Sequence, residues 1–190
     1  MLCWFQRGLF GCAILLLGYC GFVLADTWIF QREENRELTR LLIDRTAAAA
    51  PESPPIAAAA VKGLIGRIDV TRLGLSVVVM EGTTAHTLRR AVGHIQGTAL
   101  PGEQGNVGIS GHRDTLFRPL KDIRRDDIIM VTTPAGEYHY RVVSTKVVSP
   151  DNTSVLDSDG SDILTLVTCY PFYFVGPAPD RFIVRAERVI

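Results

Sequence analysis

The sequence predicts a mostly β domain, a closed or nearly closed barrel, carried behind one N-terminal membrane helix. Three observations predict it. Residues Gly8 to Ala25 contain no charged side chain, close to the ~20 apolar residues that cross a bilayer. From about Gly63 the chain breaks into short runs rich in Val, Ile, Thr and Tyr, separated by Gly, Pro, Asn and Asp, the texture of strands and turns. Seven or eight such strands in about 125 residues favour closure, because a closed barrel leaves no exposed edge. The whole chain of 190 residues, 47% hydrophobic and 21% charged, suits a single core. Lys+Arg and Asp+Glu are equal at 20 each, so no global field draws nucleic acid or another charged partner.

The elements follow in order. Residues 1–30 read as a membrane anchor, inserted through residues 8–25 and flanked by Trp4 and Trp28 at the two interfaces. Val23-Leu24-Ala25 behind Arg7 would also suit cleavage of a signal peptide. Trp28-Ile29-Phe30 carries the apolar character past that point and favours an uncleaved anchor. Either reading sends the rest of the chain across the membrane. A short N-terminus stays inside, so the expected location is the cell membrane, single-pass, with the folded domain extracytoplasmic. Residues 31–62 form a stalk and linker. Leu38, Leu41 and Leu42 at helical spacing give a short amphipathic stretch able to continue the membrane helix. Thr46 to Ala60, rich in Ala and Pro, is a spacer without large apolar residues.

Residues 63–190 are the folded domain, with candidate strands at 64–70, 74–80, 106–110, 127–132, 137–148, 162–168 and 181–189. In 137–142, Tyr138, Tyr140 and Val142 alternate with Glu137, His139 and Arg141, so one face is wet. Residues 128–131 lack alternation and are expected to be covered on both faces. The helix expected here is 84–93, with Thr83 or Thr84 as its cap and Gly93 as its stop.

Cys169 is the only cysteine beyond the N-terminal segment, which holds Cys3, Cys12 and Cys20. It closes the apolar run 162–169 just before Tyr170-Pro171, where a proline must end the sheet ladder. A solitary thiol at a strand end points to nucleophilic chemistry, for which a histidine or a cation is expected nearby. His86 reads as a solvated helix residue, His94 as a loop-bonding one, and His139 lies on the polar face of a strand. His112 differs, because Gly108-Ile109-Ser110-Gly111 delivers it to a strand end like that of Cys169. The residues alone leave it balanced between a catalytic and a structural histidine.

Thr165-Leu166-Val167-Thr168-Cys169 resembles the Thr-Leu-any-Thr-Cys signature of sortases, membrane-anchored cysteine transpeptidases that attach surface proteins to cell envelopes. Gly111-His112-Arg113 is similar to the family's Gly-His segment, and Asp180-Arg181-Phe182-Ile183-Val184 to the strand carrying its essential arginine. The order agrees, with His112 57 positions before Cys169 and Arg181 12 after it. Glu81-Gly82-Thr83, the segment from Leu100 to Asn106 and Phe117-Arg118-Pro119-Leu120 also resemble recurring family segments. The wording around Cys169 and His112 looks most like class D.

That resemblance implies an eight-stranded sortase-type barrel with one or two short helices, in which His112, Cys169 and Arg181 meet at one groove. It implies cleavage of a Leu-Pro-any-Thr signal followed by Gly or Ala, through a thioacyl-enzyme at Cys169, and transfer to an amine acceptor of the cell envelope or a pilin-like subunit. Arg181 would stabilise the oxyanion or bind the peptide, and His112 would move the protons in both half-reactions. Thr168 is a candidate for oxyanion or substrate support, and equally a plain strand-end threonine. Arg185 and Arg113 are the rival arginines, the second with a surface pair to Asp114 as its ordinary role. Residues 149–156 and 172–177 are candidate pocket walls, with at least one ring of the aromatic cluster expected to pack on the barrel. No cofactor is expected, and no metal set is visible in the sequence. Two other readings remain open: a membrane-tethered binding or scaffold domain without turnover, and a peptidase that only hydrolyses.

Overall fold

The computed structural model describes residues 2–47 and 63–189, leaving most of the Ala/Pro spacer, and the side chains of Cys3 and Trp4, outside the described residues. Helix α1 runs unbroken over Leu2–Ala47, so the apolar segment and the amphipathic stretch are one rod of 46 residues. It is one helix long and apolar enough to cross a membrane by length and composition. Residues 6–22 are exposed throughout.

Strands β1 (Leu64–Val70), β2 (Leu75–Glu81), β3 (Val92–His94), β4 (Asn106–Gly111), β5 (Ile128–Thr133), β6 (Gly136–Val148), β7 (Ile163–Tyr170) and β8 (Asp180–Val189) close a barrel in the order β1-β2-β3-β4-β7-β8-β6-β5. The pairs β2–β3 and β4–β7 are parallel, and the rest are antiparallel. Alternation fills the interior: Val107 and Ile109 of β4, Leu164 and Leu166 of β7, and Val184 and Ala186 of β8 all join the main core. Tyr140 and Val142 point the same way from β6 while Glu137, His139 and Arg141 stay exposed, as the alternation predicts.

Three expectations need correction. Helix α2 covers only Ala85–Arg90, with the Thr84 side chain accepting from the Thr87 amide at 3.2 Å. Gly93 is not its stop but the middle of β3, a strand too short to leave a pattern in the sequence. A Cβ there would lie 2.3 Å from the Gly82 carbonyl oxygen, so only glycine admits that approach. Finally, β5 is not covered on both faces. Ile129 and Val131 are buried, but Ile128 is 44% exposed and Met130 half-buried, because among the described residues that side of the barrel wall is left partly open.

The stretch of α1 beyond the apolar run packs on the barrel. Leu38 is buried with Leu64, Val78 and Ala91 in a second, smaller core, with Phe30, Leu42 and Met80 at its edge. Strand β2 pairs with β3 only from Val79 onward, which leaves the amide of Val78 without a ladder partner. Gln31 supplies one: its Oε1 accepts the Val78 N–H at 2.9 Å, and its Nε2 donates to the Arg90 carbonyl at 2.6 Å. A carboxamide thus takes the place of a neighbouring strand.

Candidate functional site

Register sets the site. Strands β4 and β7 run parallel with Gly111 beside Thr168, so His112, just past the end of β4, and Cys169, next to last in β7, are each one residue further along. On the other side Cys169 stands directly opposite Arg181 of β8. With strands about 4.8 Å apart, the backbone of Cys169 is one strand spacing from that of Arg181 on one side and from the end of β4 on the other. His112, Cys169 and Arg181 belong to the face away from the core, since Leu164 and Leu166, on the opposite alternation from Cys169, are in the core. His112 is exposed, and Cys169 and Arg181 are half-buried.

Thr168 faces the other way. It is buried, and its hydroxyl donates to the Gly111 carbonyl at 2.7 Å. That bond ties the end of the strand bearing His112 to the end of the strand bearing Cys169. Its hydroxyl proton is thus committed to that carbonyl.

The arginines are distinguished by their partners. Arg181 donates from Nη1 to the carbonyls of Asp180 at 3.0 Å and Ala178 at 3.4 Å, and makes no ion pair among the described residues. Arg185 shares the face of Arg181 but sits opposite Thr165, about 13 Å further along β8. It is paired with Asp159 at 2.8 Å. Arg113 makes no pair with Asp114; its Nη2 donates to the carbonyls of Phe174 and Gly176 at 2.8 and 3.0 Å, and its guanidinium lies 5.9 Å from the Phe174 ring. It holds the loop joining Cys169 to Arg181 against the residue after His112. Nothing in the sequence announced that contact.

Along the outer face of β4 and β7 a candidate trough leads to Cys169. Asn106 and Thr165 are buried at its far end, where Thr165 donates to Asn106 Oδ1 at 2.7 Å and Asn106 Nδ2 donates to the carbonyls of Val155 and Asp157. These bonds fix the β6–β7 connection as one wall. A Cβ at Gly108 would stand 3.0 Å from Thr98 Cγ2 and 3.1 Å from Leu156 Cδ2, so a side chain there would have to push both aside. Nearer the thiol, Ser110 and Val167 are half-buried side by side. In the second wall Phe172 packs on Phe182 at 5.3 Å and against the core, as expected for one ring, while Tyr173, Phe174 and Val175 are exposed.

The remaining histidines stand apart. His86 is exposed on α2 and His139 on β6. His94 is buried on β3 rather than in a loop, with Nδ1 2.8 Å from Glu81 and Nε2 3.0 Å from both Ala99 O and Thr98 Oγ1. Thr98 in turn accepts the Gly108 amide. This network braces the trough from behind.

A thiol, an imidazole and a guanidinium without an ion pair among the described residues, on neighbouring strand ends, suit acyl transfer: a nucleophile, a proton carrier and a stabiliser of negative charge. A Sortase domain model matches residues 68–189. Among characterised proteins the chain is 31% identical to Sortase D of Bacillus subtilis, over 93% of each chain, and 27% identical to Sortase A of Bacillus anthracis, over 77% of this chain and 71% of that one. Among solved structures it matches a Clostridium perfringens Sortase D5 transpeptidase with a TM-score of 0.69, at 27% identity over 84% of this chain and 98% of that one. A sortase A from Corynebacterium diphtheriae, a lid mutant, matches with a TM-score of 0.62, at 33% identity over 66% and 70%.

Proposed function

Because the chain belongs to the sortase family and is thus a cysteine transpeptidase, we propose that Cys169, His112 and Arg181 are its catalytic residues, acting on a Leu-Pro-any-Thr signal followed by Gly or Ala. The observation that carries this reading is the position of Cys169, beside the end of β4 that leads into His112 and directly opposite Arg181 of β8. Cys169 attacks the threonine carbonyl as its thiolate, the nucleophilic form, while His112 carries the proton. Arg181, which makes no ion pair among the described residues, faces the negative charge that forms on the carbonyl oxygen. As the C–N bond breaks, His112 protonates the departing amine and a thioester remains on Cys169. An incoming amine then gives a proton back to His112, attacks the thioester and releases the thiolate.

The rest of the reading concerns place and partners. Residues 8–25 of α1 span the cell membrane, with the barrel on the extracytoplasmic side, where secreted proteins bearing the signal meet an amine of the cell envelope or of a pilin-like subunit. The trough floored by Gly108, Ser110 and Val167 receives the signal, and the loop held by Arg113 forms its wall beside the scissile bond. The test is incubation with a signal peptide, with and without an amine acceptor. The reading expects the cleaved acyl part to be joined to the amine. Water as the sole acceptor would make the chain a hydrolase, and binding without cleavage a scaffold.

A further inference from the structure

Between α1 and the barrel lies a groove of about 1950 Å³ whose lining includes His112. Its shape is built rather than incidental, because Gln31 is bonded to both β2 and Arg90, and Asp26 accepts from Arg90 at 2.9 and 3.2 Å. Its lining includes Val23 and Leu24, near the end of the apolar run, then Thr27 and Trp28. The groove therefore opens where the helix leaves the hydrocarbon, and Leu88 and Leu116 continue its apolar lining on the barrel side.

The rest of its wall is cationic. Arg32, Arg36 and Arg40, four residues apart on α1, line the groove, and Arg89 of α2 lines it as well. Glu33, Glu34 and Glu37, which neutralise these arginines in the overall count, do not line it. Charge is thus sorted by face along a helix that is electrically neutral over this stretch. Arg32 lies over the Trp28 ring at 5.1 Å, and Arg36, Arg40 and Arg89 make no ion pair among the described residues. A single carboxylate, Asp114, lines the groove, next to His112 in sequence.

An apolar mouth continuous with a membrane span, leading to unpaired guanidinium groups, fits a molecule with a hydrocarbon tail and a phosphate head. Here, resting on the membrane reading above, we propose that the groove binds one anionic membrane phospholipid, its phosphodiester on the arginines and its hydrocarbon toward Val23 and Leu24. A lipid seated there holds the His112 end of the barrel against the bilayer surface. A water-soluble phosphate would use the arginines and leave the apolar mouth empty, so the lipid is the occupant that accounts for both halves.

The test is native mass spectrometry of the full chain in non-ionic detergent, titrated with phosphatidylglycerol or with phosphatidylcholine of the same acyl chains. One phosphatidylglycerol per chain is expected, retained at least tenfold more tightly than phosphatidylcholine. Removing three arginines together (R36Q, R40Q, R89Q) should weaken it about a hundredfold, at roughly fivefold for each charge lost near an anionic head group. A charge-matched control at exposed Arg125, Arg141 and Lys146, each changed to Gln, should leave retention unchanged. Equal retention of the two lipids, or a triple variant as tight as the native chain, would overturn the proposal. So would displacement of the lipid by glycerol phosphate at equal concentration. Extraction of the chain from vesicles by alkaline carbonate would remove the membrane reading and the groove with it. A chain that stays embedded yet shows no head-group preference removes the groove alone.

Discussion

Truncation of Leu38 tests whether α1 is part of the folded domain or a free stalk. Leu38 is 1% exposed, against Leu64, Val78 and Ala91. A Leu to Ala change at such a site costs about 2–5 kcal/mol, the lost burial plus whatever cavity fails to collapse. Gln31 adds two hydrogen bonds, at about 1 kcal/mol each, and the Asp26–Arg90 pair, a third exposed on each side, adds under about 1 kcal/mol. Ordering the helix subtracts from that gain, so docking is worth a few kcal/mol in a domain whose total is about 5–15 kcal/mol. The cost of Leu38→Ala has a ceiling, because a helix that has let go can lose nothing more. The assay is urea unfolding, followed by far-ultraviolet circular dichroism, of fragment 26–190, its Leu38→Ala variant and fragment 63–190. The shortest fragment should still unfold cooperatively, since the main core lies wholly within it, but at a lower midpoint than fragment 26–190, with the variant between them. Identical midpoints and slopes for the two fragments would refute the docking.

Three further outcomes are expected. Thr168→Val should destabilise the domain by about 1–3 kcal/mol, since it leaves the Gly111 carbonyl without its 2.7 Å partner, and should slow turnover by loosening His112 against Cys169, whereas Thr168→Ser retains both; equal melting of the Val and native proteins would count against the tie. In single-turnover cleavage of the signal peptide, Arg181→Ala should lose about 10²–10³ in rate and Arg185→Ala, already paired with Asp159, should lose little; Arg113→Ala should chiefly raise KM, and the reverse ranking of Arg181 and Arg185 would overturn the assignment. Burial pushes the Tyr140 phenol up to about 12 from its ordinary 10, so the unfolded chain sheds this proton first: stability is complete below pH 10 and falls as pH rises from 10 toward 12, by at most about 3 kcal/mol, and Tyr140→Phe should flatten that limb in an alkaline denaturation series, an unchanged limb being the contrary result.

Seven of the eight strands were legible because each carries its own signal, either alternation, as in Tyr138-Tyr140-Val142, or a run stopped by a turn residue. The eighth, Val92-Gly93-His94, is a strand only because β2 and β4 lie on either side of it, and its glycine mimics a helix stop. Ile128 and Met130 misled for a related reason: an unbroken apolar run states that both faces are apolar, not that both are covered. Helix α1 shows the same limit from the other side. The spacing of Leu38, Leu41 and Leu42 declared an apolar face, but its partner Val78 is hidden inside Val77-Val78-Val79, where nothing separates core-facing from helix-facing. At the candidate site, Cys169 drew notice through the proline after Tyr170 and His112 through its strand-end place, which left its role balanced, whereas Arg181 stood out from its rivals only through the family resemblance. Their physical distinction lies in partners far apart in sequence: Asp159 for Arg185, and the Phe174 and Gly176 carbonyls for Arg113.

The central claim is that Cys169 takes the acyl group. Mixing the protein with a Leu-Pro-any-Thr-Gly or Leu-Pro-any-Thr-Ala peptide without an amine acceptor, quenching in acid, and weighing the digested protein reads it directly. The account predicts an added mass equal to the peptide up to its threonine, on the fragment containing Cys169, formed more slowly in Arg181→Ala and absent in Cys169→Ala. Cleavage with no adduct at any quench time, an adduct on another residue, or continued cleavage by Cys169→Ala would contradict it.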